Sequence, residues 1–251
     1  GNKSELLEVL EAYLKVAPTP REKLSLHRQI AKVAEDAEDL ARAVSHLERA
    51  VRISPPGTES EEVLSELARI YGLQDRTELA VQTLELSLKQ NPRASVELFR
   101  QLGRVTLAAG DGADPALLDK STRALREVLA RVPDDMEALT GLQKLYRRRG
   151  EWTELQSVLD NLLHTPDPPL PPRERLTIAL ELSEVYSEKL GDPKKAAALI
   201  EQIQAESPVV DMRVHRRLRI LYEEMNDFAQ AARYAERELL LTEDPVARME
   251  R

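Results

Sequence analysis

Few residues in this chain have the types and spacing that catalytic or ligand chemistry requires. The segment GDG at 110–112 lacks the lysine and the strand context of a phosphate-binding loop. The segment DGADPALLD at 111–119 has the wrong acidic spacing for a calcium loop. Paired carboxylates such as Glu61 and Glu62 are common on any solvated helix surface. Because no nucleophile, base and oxyanion donor can be grouped from the sequence, we predict that the chain is not an enzyme and has no cofactor.

Composition and charge narrow the class of protein further. Leu, Ala, Glu and Arg dominate the 251 residues, whereas aromatic residues make up only 4%, which is typical of helical proteins. The net charge of −8 argues against a nucleic-acid-binding protein, which normally has a basic excess. No apolar run approaches the roughly 20 residues of a membrane-spanning helix, and no secretory signal is recognisable. We therefore expect a cytoplasmic protein that binds no nucleic acid and does not insert into a membrane.

Four tyrosines end similar apolar runs and reveal an internal repeat. The runs are LSELARIY, LTGLQKLY, ALELSEVY and HRRLRILY, which end at Tyr71, Tyr146, Tyr186 and Tyr222. Their apolar residues follow i, i+3, i+4 spacing, which predicts one buried face of a helix. An alanine follows nine residues after the tyrosine in two cases, at Ala80 and Ala231. In a third case it follows after ten residues, at Ala196, because LGD adds one residue.

This pattern resembles the tetratricopeptide repeat, a pair of antiparallel helices of about 34 residues. In the frame of that family, repeats begin near residues 24, 61, 96, 136, 176 and 212. The family places small residues where the two helices cross, and this chain has Ala31, Ala68, Gly103 and Ser183 at that position. Gln143 and Arg219 depart from the rule, so repeats four and six should pack less regularly. The resemblance, which is to bacterial-type multi-repeat scaffold proteins, covers most of the chain. It implies an all-α right-handed superhelix, a single solenoid over residues 1–251 with about six helix-turn-helix repeats.

The resemblance also assigns the two ends of the chain. Residues 5–16 match the second helix of a preceding repeat whose first helix is missing, and residues 246–251 match the start of a truncated next repeat. Repeat arrays normally end in a polar capping helix, which neither end here resembles. We expect either a fragment of a longer protein or self-association through open ends near Leu6, Val9 and residues 239–241.

A proline-rich segment, HTPDPPLPPRER at 164–175, interrupts the repeats. Its prolines disfavour a helix and favour extended polyproline geometry. The segment KVAPTPREKL at 15–24 occupies the corresponding place near the start of the chain. We predict a stiff spacer between repeats four and five, with a hinge or a docking motif for a proline-binding module as the alternatives.

Histidine is the usual metal ligand in a chain without cysteine. His27 and His215 both fall at a repeat position where the family places tryptophan, so the resemblance implies that they are packing residues. They also lie five repeats apart and could not share one ion. We predict no metal site.

The resemblance implies that the first helices line a concave groove in which peptides bind. Cations recur there at two repeat positions, and they define the predicted partner-binding residues Arg28, Lys32, Arg69, Arg100, Arg104 and Lys144. On an acidic protein such a basic strip is organised, and we predict that it receives an acidic segment of a protein partner. The alternative is a solvated face in which Glu62, Glu66 and Glu97 neutralise the cations.

The predicted function is therefore a non-catalytic protein–protein interaction or scaffolding module. Two alternatives remain open from the sequence. One is a purely architectural array that self-associates through its ends, and the other is the substrate-recruiting part of a larger enzyme.

Overall fold

The computed structural model describes residues 3–91, 94–108, 114–164, 169–206 and 211–243, which contain helices but no strand. In chain order the helices are α1 (Lys3–Val16), α2 (Pro20–Asp36), α3 (Leu40–Ile53), α4 (Thr58–Leu73), α5 (Thr77–Gln90), α6 (Val96–Ala108), α7 (Pro115–Arg131), α8 (Met136–Arg149), α9 (Trp152–His164), α10 (Pro172–Glu184), α11 (Pro193–Glu206), α12 (Met212–Glu224) and α13 (Phe228–Glu243). A π-helical turn, Val185–Lys189, follows α10 directly. The all-α fold class predicted from the sequence is confirmed. None of the described helices is long and apolar enough to cross a membrane.

The chain divides into two compact units, residues 1–131 (unit 1) and residues 132–251 (unit 2). In unit 1 the hairpins are α2–α3, α4–α5 and α6–α7, each contacts the next, and α1 packs against α2. In unit 2 the hairpins are α8–α9, α10–α11 and α12–α13, and each again contacts the next. The predicted start of a further repeat at residues 246–251 lies outside the described residues, as do residues 165–168 of the proline-rich segment.

Proline sets the start of a helix in both units. Pro20 and Pro172 are each the first residue of their helix, where the missing amide costs no hydrogen bond and the fixed φ suits a helix. The Thr19 side chain caps α2 by accepting a hydrogen bond of 3.2 Å from the Glu22 amide. The proline-rich segment 164–175 therefore begins at the last residue of α9 and ends within the first turn of α10.

The same backbone hydrogen bond closes the turn inside four hairpins. An amide donates to the carbonyl five residues earlier, at distances of 2.8–3.0 Å, and the pairs are Asp39 to Ala34, Arg76 to Tyr71, Glu151 to Tyr146 and Asp227 to Tyr222. The residue before each donor has a positive φ of 58–68°, and these residues are Glu38, Asp75, Gly150 and Asn226. One left-handed residue per hairpin thus reverses the chain and satisfies the last carbonyls of the first helix.

The fifth predicted repeat makes the same turn with one residue more. Here the Asp192 amide donates to the Tyr186 carbonyl six residues earlier, at 2.8 Å. The extra residue of LGD is absorbed by the π-helical turn, in which the Leu190 amide donates to the Val185 carbonyl at 3.0 Å. Gly191 supplies the positive φ, at 70°. An insertion that is visible in the sequence is therefore accommodated by a change of helix type.

The recurring tyrosines also join neighbouring hairpins within a unit. The hydroxyls of Tyr71, Tyr186 and Tyr222 donate to carboxylates on the preceding second helix, and the pairs are Tyr71 to Glu48 (2.9 Å), Tyr186 to Asp160 (3.1 Å) and Tyr222 to Glu201 (2.7 Å). Burial, assisted by the hydrogen bond to Glu48, raises the pKa of Tyr71 to about 12. The hydroxyl therefore stays protonated and remains a donor at neutral pH.

Small residues allow close helix crossing, most clearly in the hairpin α6–α7. The Ser121 hydroxyl donates to the Gly103 carbonyl at 3.3 Å, so the backbone of α6 lies next to α7. A Cβ atom at Gly103 would lie 2.4 Å from Cδ2 and 2.8 Å from Cγ of the buried Leu125. At this crossing glycine is required because no larger residue fits without moving Leu125.

We expect Gly103→Ala to lower the free energy of unfolding of the chain by about 1–3 kcal/mol, because the added methyl group overpacks the contact with Leu125. Gly72→Ala is the matched control, since Gly72 is exposed on α4 and a Cβ atom added there would have no neighbour within 4 Å. That control should raise stability by about 0.5–1 kcal/mol through helix propensity. Urea unfolding followed by far-UV circular dichroism measures both, and equal effects of the two substitutions would contradict the close crossing.

Candidate functional site

The first helices of unit 1 are joined side by side by polar contacts one repeat apart. Arg28 on α2 donates to Glu62 (2.9 Å) and Glu66 (2.6 Å) on α4. In the other direction, both terminal nitrogens of Arg69 on α4 donate to the Glu35 carboxylate on α2, at 2.5 Å each. These hydrogen bonds lower the pKa of Glu35. On the predicted groove face of unit 1, α2 and α4 are therefore connected by ion pairs in both directions, which we call the ion-pair ladder.

Between α4 and α6 the ladder continues with neutral groups. The Ser65 hydroxyl donates to the Gln101 amide oxygen at 2.5 Å, and the Gln101 amide nitrogen donates to the Ser65 carbonyl at 2.8 Å. On α6 itself, Arg100 and Arg104 both bind Glu97, at 3.1 and 2.9 Å. The cations predicted on α6 are therefore held within their own helix at least in part.

Only two of the six predicted cations have no ion pair or hydrogen bond within the described part of the chain. Lys32 is exposed on α2 and Lys144 is exposed on α8, which places them in different units. Arg28, Lys32 and Arg69 line one cavity of about 360 Å³ in unit 1, together with Glu35 and Glu66. The structure thus brings three of the predicted residues together and surrounds them with carboxylates.

At the Arg28–Glu62 and Arg100–Glu97 pairs of this face the carboxylate is the more accessible partner, whereas at the Arg69–Glu35 pair the side chains are 48% and 25% exposed. The side chains of Glu62 and Glu97 are 52% and 55% exposed, whereas those of Arg28 and Arg100 are 31% and 26% exposed. An approaching anion therefore meets negative charge at these pairs. The geometry at Arg28, Arg69, Arg100 and Arg104 corresponds to the alternative in which neighbouring glutamates neutralise the strip.

Unit 2 has a larger cavity, of about 450 Å³, that sequence reasoning missed. It lies between α8, α10 and α12, and its lining residues are Arg147, Thr177, Leu180, Glu181, Glu184, Arg213, Arg216, Arg217 and Ile220. The signal in the sequence is the run RVHRR at 213–217, which puts three arginines on the first turns of α12. Arg216 falls at one of the two repeat positions at which cations recur, but a comparison at single positions does not group it with Arg147 and Arg213.

Arg217 is the buried member of that cluster and has a structural role. Its side chain donates to the Ser183 hydroxyl (2.9 Å), the Ser183 carbonyl (3.0 Å) and the Ser187 hydroxyl (2.5 Å). Glu188 lies 3.5 Å away and offsets the charge. Arg217 therefore fastens α12 to the π-helical turn, which begins two residues after Ser183.

Three of the four histidines, His27, His46 and His215, are buried, whereas His164 on α9 is exposed. Nδ1 of His27 on α2 lies 3.0 Å from Nδ1 of His46 on α3, and Nε2 of His46 lies 3.6 Å from the Glu11 carboxylate on α1. Burial, followed by the His46 charge, lowers the pKa of His27 to about 4. Both rings are thus neutral at neutral pH, and one donates to the other. Among the described residues, no three or more acidic or histidine side chains are grouped as a metal site.

Comparisons with known proteins agree with this geometry. Residues 138–173 match a family model described as tetratricopeptide repeat. No curated protein matches the chain. A solved tetratricopeptide repeat protein from Parabacteroides merdae aligns over 99% of this chain and 91% of its own, with 16% identity and a TM-score of 0.53.

Two further solved structures have a similar fold. A chain of the Naa15/Naa10 complex bound to HypK-THB aligns over 98% of this chain, with 14% identity and a TM-score of 0.61, and this chain spans 37% of its length. YrrB, described as a TPR protein with an unusual peptide-binding site, aligns over 75% of this chain and 88% of its own, with 14% identity and a TM-score of 0.52.

Helix hairpins that share one turn geometry, several of them joined to the preceding hairpin by a tyrosine hydrogen bond, define an all-α repeat fold. Residues 138–173 match the tetratricopeptide-repeat family model, and the solved structures show that the chain has the fold of tetratricopeptide-repeat proteins. Proteins of this family are generally non-catalytic interaction scaffolds.

The His27–His46 pair should make stability depend on pH. Because the folded state lowers the pKa of both rings, the unfolded state binds more protons below about pH 6.5, and stability falls as the pH drops from there toward about 4. Arg42 and Arg49 on α3 oppose protonation of His46, and Glu11 on α1 favours it. Urea unfolding should show that the free energy of unfolding falls by on the order of 2 kcal/mol between about pH 7 and about pH 5.

In His27→Gln that loss of stability should be clearly smaller, because one of the buried histidines with a lowered pKa is gone, whereas His215 continues to contribute. His164→Gln, which changes an exposed histidine on α9, is the control and should keep the slope of the parent protein. If the free energy of unfolding depended on pH equally in the parent protein, His27→Gln and His164→Gln, the neutral buried pair would be contradicted.

Proposed function

We propose that the protein is a non-catalytic module that binds a segment of a partner protein along the face formed by its first helices, and that acidic partner segments are preferred. The observation that carries the proposal is Lys32, an exposed cation near Glu35 that makes no hydrogen bond or ion pair in the described part of the chain and lines a cavity with Arg28 and Arg69. Lys144, on the first helix α8 of unit 2, is a second exposed cation that makes no ion pair with any described residue. Free ammonium groups at such positions attract carboxylates without first breaking an ion pair.

The similar folds support a binding role at a general level. The YrrB structure is described as having a peptide-binding site, and the Naa15/Naa10 structure is bound to HypK-THB. Those partners belong to those proteins. What transfers here is the expectation that hairpin repeats of this family present their first helices to a protein segment.

We expect Lys32→Glu to weaken binding of acidic peptides about tenfold, because it replaces attraction by repulsion beside a compensated ion-pair ladder. A synthetic peptide array of graded net charge identifies the ligands, and fluorescence anisotropy at low and moderate salt gives their affinities. Lys144→Glu tests the corresponding cation of unit 2 in the same way.

The matched control is Lys89→Glu, which makes the same charge change at an exposed lysine on the second helix α5. It should leave binding unchanged apart from a small non-specific effect. An equal loss of peptide affinity in Lys32→Glu and Lys89→Glu would show that the first-helix face is not the binding site. Failure of every peptide in the array to bind would overturn the proposed function.

A second candidate function, self-association, is favoured by exposed apolar side chains on α1 and α13. On α1 the exposed fractions of Leu6, Val9, Tyr13 and Val16 are 46%, 50%, 62% and 73%. On α13 Leu239 and Leu240 are 58% and 67% exposed. The α1 residues follow helical spacing and form one stripe, a pattern that marks interaction surfaces.

If copies of the chain associate through these faces, Val9→Glu combined with Tyr13→Glu should shift the protein to the monomer, because a charge buried in an apolar contact is costly. Sedimentation velocity over a range of protein concentrations measures the shift. A parent protein that is monomeric at every concentration, or a double variant that associates as the parent does, would contradict this candidate.

A further inference from the structure

We infer that the unit 2 cavity is a subsite for a peptide segment in which a carboxylate lies next to an apolar side chain. The inference rests on the proposed function and names the ligand chemistry of a surface that the predicted cation strip does not include. Three half-exposed arginines on its walls, Arg147, Arg213 and Arg216, supply the recognition.

These arginines are paired in a way that leaves their positive charge facing outward. The side chains of Arg147, Arg213 and Arg216 are 53%, 55% and 53% exposed. Their partners Glu181, Asp211 and Glu238 are only 19%, 19% and 16% exposed. An incoming anion therefore meets guanidinium groups, whereas the carboxylates lie behind them. The Arg28–Glu62 and Arg100–Glu97 pairs of unit 1 show the reverse, with the glutamate more exposed. The Arg69–Glu35 pair of unit 1 has the exposed cation of the unit 2 pairs, but there both terminal nitrogens of the arginine bind the carboxylate.

The guanidinium groups also keep unused donors. Arg213 binds Asp211 through Nε and Nη2, and Arg216 binds Glu238 through Nε alone. Within the described part of the chain, Nη1 of Arg213 and both terminal nitrogens of Arg216 have no acceptor. A guanidinium offers five N–H donors in a planar fork that matches a carboxylate. A bound carboxylate can thus be held without breaking either existing ion pair.

The remaining lining residues select a peptide over a uniform polyanion. Leu180 and Ile220 are half-buried in the same cavity and offer apolar contact beside the arginines. Glu184 lines the cavity too, is exposed, and has no cationic partner in the described part of the chain. It would repel a continuous phosphate backbone, whereas a peptide can place a neutral or basic residue next to it.

The test measures the affinity of fluorescent peptides that contain an Asp-Leu-Glu core, against the same peptides with Asn and Gln in place of the acids. In Arg213→Gln/Arg216→Gln, binding of the acidic peptide should weaken tenfold or more, whereas the amide peptide should bind weakly to every protein. Both arginines are exposed, and Asp211 still caps α12 through the Arg213 amide at 2.8 Å, so the fold should persist. Emission of Trp152, the only tryptophan, reports the fold of unit 2 in each variant.

The matched control is Lys194→Gln/Arg233→Gln, which also removes two positive charges. Lys194 on the second helix α11 and Arg233 on the second helix α13 are exposed, and neither has a partner in the described part of the chain. Its affinity should equal that of the parent protein. Arg213→Lys/Arg216→Lys keeps the charge but loses the fork, so it should recover only part of the affinity.

Three outcomes overturn the inference. If acidic peptides bind Lys32→Glu more weakly but bind Arg213→Gln/Arg216→Gln as they bind the parent, the peptide site lies outside the unit 2 cavity and the proposed function stands. A polyphosphate or an oligonucleotide that displaces the peptide and binds more tightly through the same arginines identifies a polyanion site instead. The absence of binding by any peptide, acidic or neutral, removes the proposed function together with the inference.

Discussion

The hydrogen bond from a first-helix tyrosine to a carboxylate on the preceding second helix connects neighbouring hairpins at Tyr71, Tyr186 and Tyr222. The carbonyls of the same tyrosines accept the hydrogen bonds that close the turns of their own hairpins. The hydroxyl of Tyr71 reaches Glu48, while its carbonyl accepts the amide of Arg76. One residue thus fixes both the reversal of the chain and the spacing of successive hairpins. A phenol suits this double task because burial raises its pKa and keeps it a donor beside a carboxylate.

Regular spacing of the hairpins determines what the first helices can present to a ligand. Side chains one repeat apart are near enough to pair, so Arg69 reaches Glu35 and Arg28 reaches Glu62. In unit 1 these pairs consume much of the positive charge of the surface. In unit 2 the acids lie behind Arg213 and Arg216, and the same kind of pair leaves donors for a ligand. The proposed subsite follows from the relative exposure of the two partners in each pair as well as from the number of cations.

The π-helical turn shows how the array tolerates an irregularity. The added residue near Gly191 widens one turn of the first helix and delays the closing hydrogen bond by one position, to Asp192. Buried Arg217 donates to Ser183 and Ser187 and fastens α12 across that turn. The cavity of unit 2 has Arg217 in its wall, so the irregular turn and the proposed subsite are built from neighbouring residues.

The sequence by itself determined the helical class, the tyrosine frame and the requirement for a small residue at Gly103, because these follow from helical periodicity and from the repeat period. It also showed the LGD insertion, although not that a π-helical turn absorbs it. Which carboxylate each arginine reaches, the pairing of His27 with His46, and the clustering of Arg147 with Arg213 and Arg216 were decided only by the tertiary structure. Those contacts depend on shifts of a few ångströms between helices that are distant in sequence, and a long charged side chain has several partners within that range.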